Sequence, residues 1–203
     1  LEGQGGVDIL YADDSGDTLP NTGTLTATTL TGLGMAGGMT YGNMEIFEIS
    51  LGSGDDTFDV TGTMRRDDFE TITVLNTGAG SDNLTISLTE GVDGLFAVHL
   101  GAGDDRFDGS SSTFGLIVFG DEGNDRVTGG DGGDILFGDH GEVDFVNGSG
   151  EVVTRLGQPI LAQHKTDGVA RDARFIMSAD TNDGGNDIID GRDELGVLLM
   201  GHD

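Results

Sequence analysis

The residues able to do chemistry in this chain are aspartates set in short glycine-rich phrases. Gly52-Ser53-Gly54-Asp55-Asp56-Thr57-Phe58, Gly78-Ala79-Gly80-Ser81-Asp82-Asn83-Leu84 and Gly101-Ala102-Gly103-Asp104-Asp105-Arg106-Phe107 all read Gly-x-Gly-x-Asp-x-apolar. A tandem of nine-residue units follows, Gly120-Asp121-Glu122-Gly123-Asn124-Asp125-Arg126-Val127-Thr128 and Gly129-Gly130-Asp131-Gly132-Gly133-Asp134-Ile135-Leu136-Phe137. A degenerate third unit starts at Gly138-Asp139-His140-Gly141, and weaker copies lie at Gly5 to Leu10 and Gly184 to Ile189. Glycine lets the backbone curl through positive φ so that carbonyl oxygens point inward, and the Asp adds a carboxylate at the end of the same loop. That is a donor set for calcium, which takes 6 to 8 oxygens at about 2.3–2.6 Å. One loop supplies too few oxygens and two stacked loops supply enough, so stacking predicts a row of ions along one edge.

Composition asks for such a cation. The 203 residues include 37 Asp and Glu against 9 Lys and Arg, a formal net charge of -28. This excludes nucleic-acid binding through a basic face, and it destabilises a compact state by self-repulsion unless cations are held at fixed places. The absence of Cys excludes disulfides, thiolate metal sites and Cys nucleophiles. Hydrophobic residues at 35% predict a thin core, while 10 Phe are too many for a disordered acidic tail.

The elements that must position the aspartates follow from the spacing. From phrase to phrase the last Asp moves from 56 to 82, 105, 125 and 134. Between the wider-spaced phrases, apolar and polar residues alternate as in half-buried strands: Met44 to Leu51, Phe69 to Leu75, Leu84 to Leu88, Phe96 to Leu100 and Leu116 to Phe119. Each repeat reads as a Gly/Asp turn, a strand, a looser turn and a second strand leading to the next Gly/Asp turn. Leu10, Phe58, Leu84, Phe107, Val127, Leu136 and Ile189, two residues after each Asp, are expected to anchor the turns in the core. The fold class expected is all-β, a parallel β-solenoid or β-roll.

Three segments depart from the pattern. Residues 13 to 43 read as a long N-terminal coil or edge, with Thr24 to Thr28 as a strand. Asp144 to Leu156 reads as a hairpin turning at Asn147-Gly148-Ser149-Gly150. Residues 155 to 174 hold Pro159 and four basic residues, Arg155, Lys165, Arg171 and Arg174, and read as a loop excursion that returns through a strand at Arg174 to Ser178. The expected organisation is therefore a solenoid over 1–143, a hairpin and loop excursion over 144–180, and a resumed solenoid over 181–203. Both ends fall inside a repeat, so the chain is expected to be a segment of a longer protein.

Gly-Gly-x-Gly-x-Asp-x-apolar-x resembles the signature of RTX, or haemolysin-type, calcium-binding repeats, whose tandem copies form a parallel β-roll with calcium between turns. The match is close over 120–137 and good at the three single phrases. The resemblance implies Ca2+ ligation by Asp56, Asp82, Asp105, Asp125, Asp134 and Asp187, with Asp8 as a weaker counterpart and Asp121 and Asp131 at loop positions able to contribute. It also implies roles in the same turns for Gly54, Gly80, Gly103, Gly123 and Gly132. The wider steps exceed the eighteen residues of two nonapeptides, so a β-helix-like solenoid with fewer calcium sites fits as well. If folding and site formation are one step, the calcium-free chain is expected to be largely unfolded.

No enzyme is expected. His99, His140, His164 and His202 form no His-x-x-x-His pair, the single lysine Lys165 follows His164 and not Gly, and there is no Gly-x-Ser-x-Gly elbow. No stretch approaches the ~18 apolar residues of a membrane span, and Leu1-Glu2-Gly3-Gln4 is not the start of a signal peptide. The expected function is a calcium-rigidified structural module of a large secreted or cell-surface bacterial protein, such as an adhesin, matrix component or filament. Its expected partners are calcium ions, neighbouring repeats and further copies of itself. The competing expectation is a calcium- and carbohydrate-binding accessory module of a secreted protease, lipase or polysaccharide-modifying enzyme, with a glycan bound near Arg155, Lys165, Arg171 and Arg174.

Overall fold

The computed structural model describes residues 1–157, 165–178, 184–191 and 198–200. In chain order the strands are Ile9–Asp13 (β1), Thr22–Leu25 (β2), Thr29–Gly32 (β3), Met35–Thr40 (β4), Ile46–Ser50 (β5), Thr57–Val60 (β6), Ile72–Asn76 (β7), Asn83–Ile86 (β8) and Leu95–His99 (β9). They continue with Arg106–Asp108 (β10), Ile117–Phe119 (β11), Arg126–Thr128 (β12), Ile135–Phe137 (β13), Gly141–Val146 (β14), Val152–Leu156 (β15), Phe175–Ser178 (β16), Ile188–Asp190 (β17) and Leu198–Met200 (β18). The described residues contain no helix.

The fold is all-β. A first sheet of seven strands runs β1-β5-β7-β9-β11-β13-β18, with every pair parallel. A second, mixed sheet runs β17-β12-β10-β8-β6-β2-β3-β4, parallel as far as β2 and antiparallel through the hairpin of β3 and β4. From β5 to β13 the chain alternates between the two sheets. Outbound turns lead from the first sheet to the second, and return turns lead back. The strands are short because two or three inward side chains are enough to fill the space between the sheets.

Parallel pairing in register stacks equivalent side chains. In the second sheet Phe58, Leu84, Phe107, Val127 and Ile189 are neighbours in one column; in the first sheet Ile49, Leu75, Val98, Val118 and Leu136 form another. Both columns join one apolar cluster, in which all but the half-buried Ile189 are fully buried. The expected anchors thus lie in the core, with Leu10 and Ile189 packed against its rim. Each fully buried Phe or Leu contributes about 1.5–3 kcal/mol of transfer free energy.

The first sheet is apolar on its other face too. Ile72, Val74, Ala97, Ile117, Phe119 and Phe137 pack there beneath Val143, Phe145 and Leu156 of a small antiparallel sheet ordered β15-β14-β16. The expected hairpin over 144–156 is β14 with β15, and the expected strand at 174–178 is β16. Thr24 to Thr28 is not one strand: β2 ends at Leu25, and Thr26 N–H donates to the Thr29 carbonyl at 2.9 Å, closing a hairpin turn. His164, His202, Pro159, the expected turn after Met200 and parts of the expected 144–180 and 181–203 segments lie outside the described residues.

Candidate metal-binding row

The aspartates of the outbound turns form one hydrogen-bonded ladder. Asn21 N–H donates to Asp56 Oδ1 at 2.7 Å, Asp56 N–H to Asp82 Oδ1 at 2.7 Å, and Asp82 N–H to Asp105 Oδ1 at 2.7 Å. Asp105 N–H then donates to Asp125 Oδ1, and Asp125 N–H to Asp187 Oδ1, each at 2.9 Å. Each aspartate between the ends therefore donates to the next turn and accepts from the previous one. Beside this ladder runs a second of opposite sense: Ser81 N–H donates to Asp55 Oδ1, Asn124 N–H to Asp104 Oδ1, and Asn186 N–H to Asn124 Oδ1.

Glycine sets the spacing. A Cβ at Gly80 would collide with the Gly54 carbonyl, one at Gly103 with that of Gly80, one at Gly123 with that of Gly103, and one at Gly185 with that of Gly123. Gly103 also has φ +145, a conformation that L side chains rarely adopt. A column of carbonyls thus runs parallel to the column of carboxylates.

The ladder uses only one oxygen of each carboxylate. Oδ2 of Asp82, Asp105, Asp125 and Asp187 is buried and has no hydrogen-bond partner. In Asp125 this oxygen lies over the Cα of Gly120, where a Cβ would stand 2.8 Å away. The Thr77 hydroxyl approaches Asp82 and lowers its pKa somewhat, yet it donates its proton to the Leu100 carbonyl. Asp82, Asp105 and Asp125 are each at most 3% exposed. Burial pushes their carboxyl pKa values up, to about 6, about 7 and about 8 respectively, with neighbouring carboxylates raising them further and the ladder bonds opposing. Asp56 and Asp187 are raised for the same first reason.

The remaining predicted residues divide. Asp134, Asp131 and Gly132 belong to the return turn between β12 and β13, on the far side of the second sheet's strand. Asp134 is fully buried and both its oxygens are used, Oδ1 by Leu116 N–H at 2.9 Å and Oδ2 by Gly130 N–H at 2.8 Å. Asp131 is exposed, and Gly132 packs over the backbone of Phe114 and Gly115. Asp8, before β1, accepts from Gln4 N–H and donates to Glu45 Oε2. Asp121 takes the place of Gly78 and Gly101 in its turn, at φ +66, and its Oδ2 lies 2.9 Å from His99 Nδ1. His99 in turn stacks on Phe119, which stacks on Phe137.

Sequence reasoning missed Asn21, which heads the ladder from a turn lacking the glycine phrase. Its one signal is the following residue: Asn21-Thr22 opens β2 as Asp56-Thr57 opens β6. It also missed Asp14, whose buried Oδ2 is without a partner and whose pKa is raised by burial and by Asp17, Asp56 and Asp13.

No family model, curated protein or solved structure matches this chain.

Among the described residues no three His, Asp or Glu side chains stand close enough to hold an ion by themselves. An ion in the row has to be shared between carboxylates and backbone carbonyls, and the residues fit that demand. The unpartnered atoms are hard anionic oxygens, buried where a missing partner costs about 1–3 kcal/mol or more each, and they are repeated beside a column of carbonyls.

Proposed function

We propose that this chain is a calcium-rigidified structural module, a parallel β-solenoid of RTX-like repeats, of a large secreted or cell-surface protein such as an adhesin, matrix component or filament. The observation that carries the reading is the row of buried, unpartnered Oδ2 atoms of Asp82, Asp105, Asp125 and Asp187. When bound, calcium supplies the missing partner of these oxygens and cancels their mutual repulsion. The chain's own part is to hold the carboxylates in file through the Oδ1 ladder and to exclude water with the Phe58, Leu84, Phe107 and Val127 column directly behind. Loop sites of this kind suit the millimolar calcium outside cells, where extracellular modules bind at about 10⁻⁴ to 10⁻³ M. The solenoid reading is supported by strict alternation between two parallel sheets from β5 to β13. Circular dichroism tests it: chelator is expected to abolish most of the strand signal and calcium to restore it. Unchanged strand content in chelator would contradict it.

A second reading, a carbohydrate-binding accessory module, is favoured by one feature. A cleft between the first sheet and the small sheet is lined by Glu70, Thr154, Thr166 and Arg171 over a floor of Ile72 and Phe145. The expected basic face is largely spent on internal pairs, Arg155 with Asp144 and Glu142 and Arg171 with Asp167. Binding on a glycan array that is lost in Arg171→Ala would favour this reading.

A further inference from the structure

The turn that receives β13 is divided in two. Gly138 and Asp139 occupy the places that Gly120 and Asp121 hold in the turn before, for a Cβ at Gly120 would strike the Gly138 carbonyl. Gly185 stacks on the Gly123 carbonyl, Asn186 bonds Asn124, and Asp187 bonds Asp125, so Gly184 to Asp187 complete the same turn. The degenerate unit at Gly138 and the weaker copy at Gly184 are thus halves of one outbound turn, with residues 140–183 and the small antiparallel sheet inserted between them.

The halves clasp each other through carboxylates. Asp187 Oδ2 lies over the Cα of Gly138, just as Asp125 Oδ2 lies over Gly120, so the contact of the preceding turn is rebuilt across the insertion. A second contact runs the opposite way: the Asp139 carboxylate lies over Gly184, where any Cβ would collide with it. Asp139 is 4% exposed, and its Oδ1 is buried without a hydrogen-bond partner, as is Asp187 Oδ2. The negative charge of Asp139 acts directly on Asp187. Two unpartnered carboxylate oxygens, Asp139 Oδ1 against Gly184 and Asp187 Oδ2 against Gly138, therefore flank a joint between the insertion and the row. His140 Nε2 lies 3.8 Å from Asp121 Oδ1.

We infer that Asp139 joins Asp187 in a divalent-cation site at the end of the row, which closes the split turn and clasps the inserted sheet to the outbound turns. The ligand class is a hard cation, calcium, because the side-chain donors are carboxylate oxygens and backbone carbonyls make up the rest of the shell as in the row. The site rests on the proposed calcium reading but adds a ligand, Asp139, that the repeat pattern does not supply. Its effect is mechanical: chain segments far apart in sequence become joined at the base of the insertion only when the ion is present.

Calcium binding to the full chain, counted by calorimetry and paired with hydrogen exchange in calcium, tests this with two variants. Asp139→Asn removes the charge with little change of shape, and Gly184→Ala drives the carboxylate out with a methyl group. Each is expected to bind one calcium fewer than the native chain, and exchange in Gly141–Val146, Val152–Leu156 and Phe175–Ser178 is expected to rise about tenfold while β6, β8 and β10 stay protected. An unchanged ion count in both variants, with the native chain binding calcium, overturns the site and leaves the row standing. Loss of an ion without faster exchange overturns the clasping role. A native chain that binds no calcium overturns the proposed function together with the site.

Discussion

Outbound and return turns use the same device, an aspartate carboxylate accepting a backbone N–H from a neighbouring turn, and leave that carboxylate in opposite states. On the return side both oxygens are satisfied. Asp93 accepts from Thr63 N–H and Thr89 N–H, each at 2.7 Å, and Asp134 from Leu116 and Gly130. Glu45 accepts from Asp8 N–H and pairs with Arg66. Hydroxyls complete the stitching, as where Ser112 Oγ accepts from Leu88 N–H and donates to the Ile86 carbonyl. On the outbound side, from Asp82 to Asp187, the second oxygen is buried and finds no donor. An aspartate near a turn is thus no evidence of a metal; the unused oxygen is what separates a site from a structural hydrogen bond.

The sharpest way to break this contrast is steric. Gly103→Ala places a Cβ against the Gly80 carbonyl at φ +145 and is expected to cost about 3 kcal/mol in calcium, read as a fall in the urea midpoint. A near-native midpoint would show that the carbonyl column does not fix the spacing of the outbound turns.

Charge removal should then act with opposite signs on the two sides. Asp134→Asn turns an NH2 group toward a backbone N–H and is expected to cost about 1–3 kcal/mol in calcium and to restore no strand signal in chelator. Asp125→Asn removes a buried charge that lacks a partner. It is expected to raise the residual strand signal in chelator at pH 8 and to destabilise the protein in calcium by on the order of 1 kcal/mol. The same sign for Asp125→Asn in both media would erase the distinction.

Proton linkage gives a smaller graded effect. The folded-state pKa values of Asp82, Asp105 and Asp125 are raised to about 6, 7 and 8. In chelator their contribution is fully present below the unfolded value near 3.9 and is lost as pH rises through about 6 to 8. Metal-free protein should therefore keep more strand signal by circular dichroism at pH 5 than at pH 8. In calcium the order should invert, because ligation needs the carboxylates deprotonated. The control with the smallest effect is Gly148→Ala at the hairpin tip, where a Cβ meets nothing within 4 Å; its urea midpoint should stay within about 0.5 kcal/mol of native.

Much of this was legible in the sequence because period-2 alternation and Gly-x-Gly-x-Asp are local signals. The anchors Phe58, Leu84, Phe107 and Val127 follow directly from them. What a local signal cannot give is the side on which a turn falls. Asp125 and Asp134 stand in adjacent, near-identical phrases, yet β12 between them carries the chain across the second sheet, so one joins the row and the other does not. The split turn was hidden because its halves are separated by an inserted sheet, and each alone looks like a poor repeat. Phe119 and Phe137 looked like ordinary strand residues; their burial comes from β14 and β15 packing on the outer face, a contact far away in sequence.

The central claim is that the unpartnered oxygens of the outbound turns are calcium ligands. Calorimetric titration of calcium into chelator-stripped protein, followed in parallel by circular dichroism, tests it most directly. The predicted result is several ions bound per chain with a coil-to-strand transition. Strands already formed in chelator, with no heat of calcium binding, would contradict it.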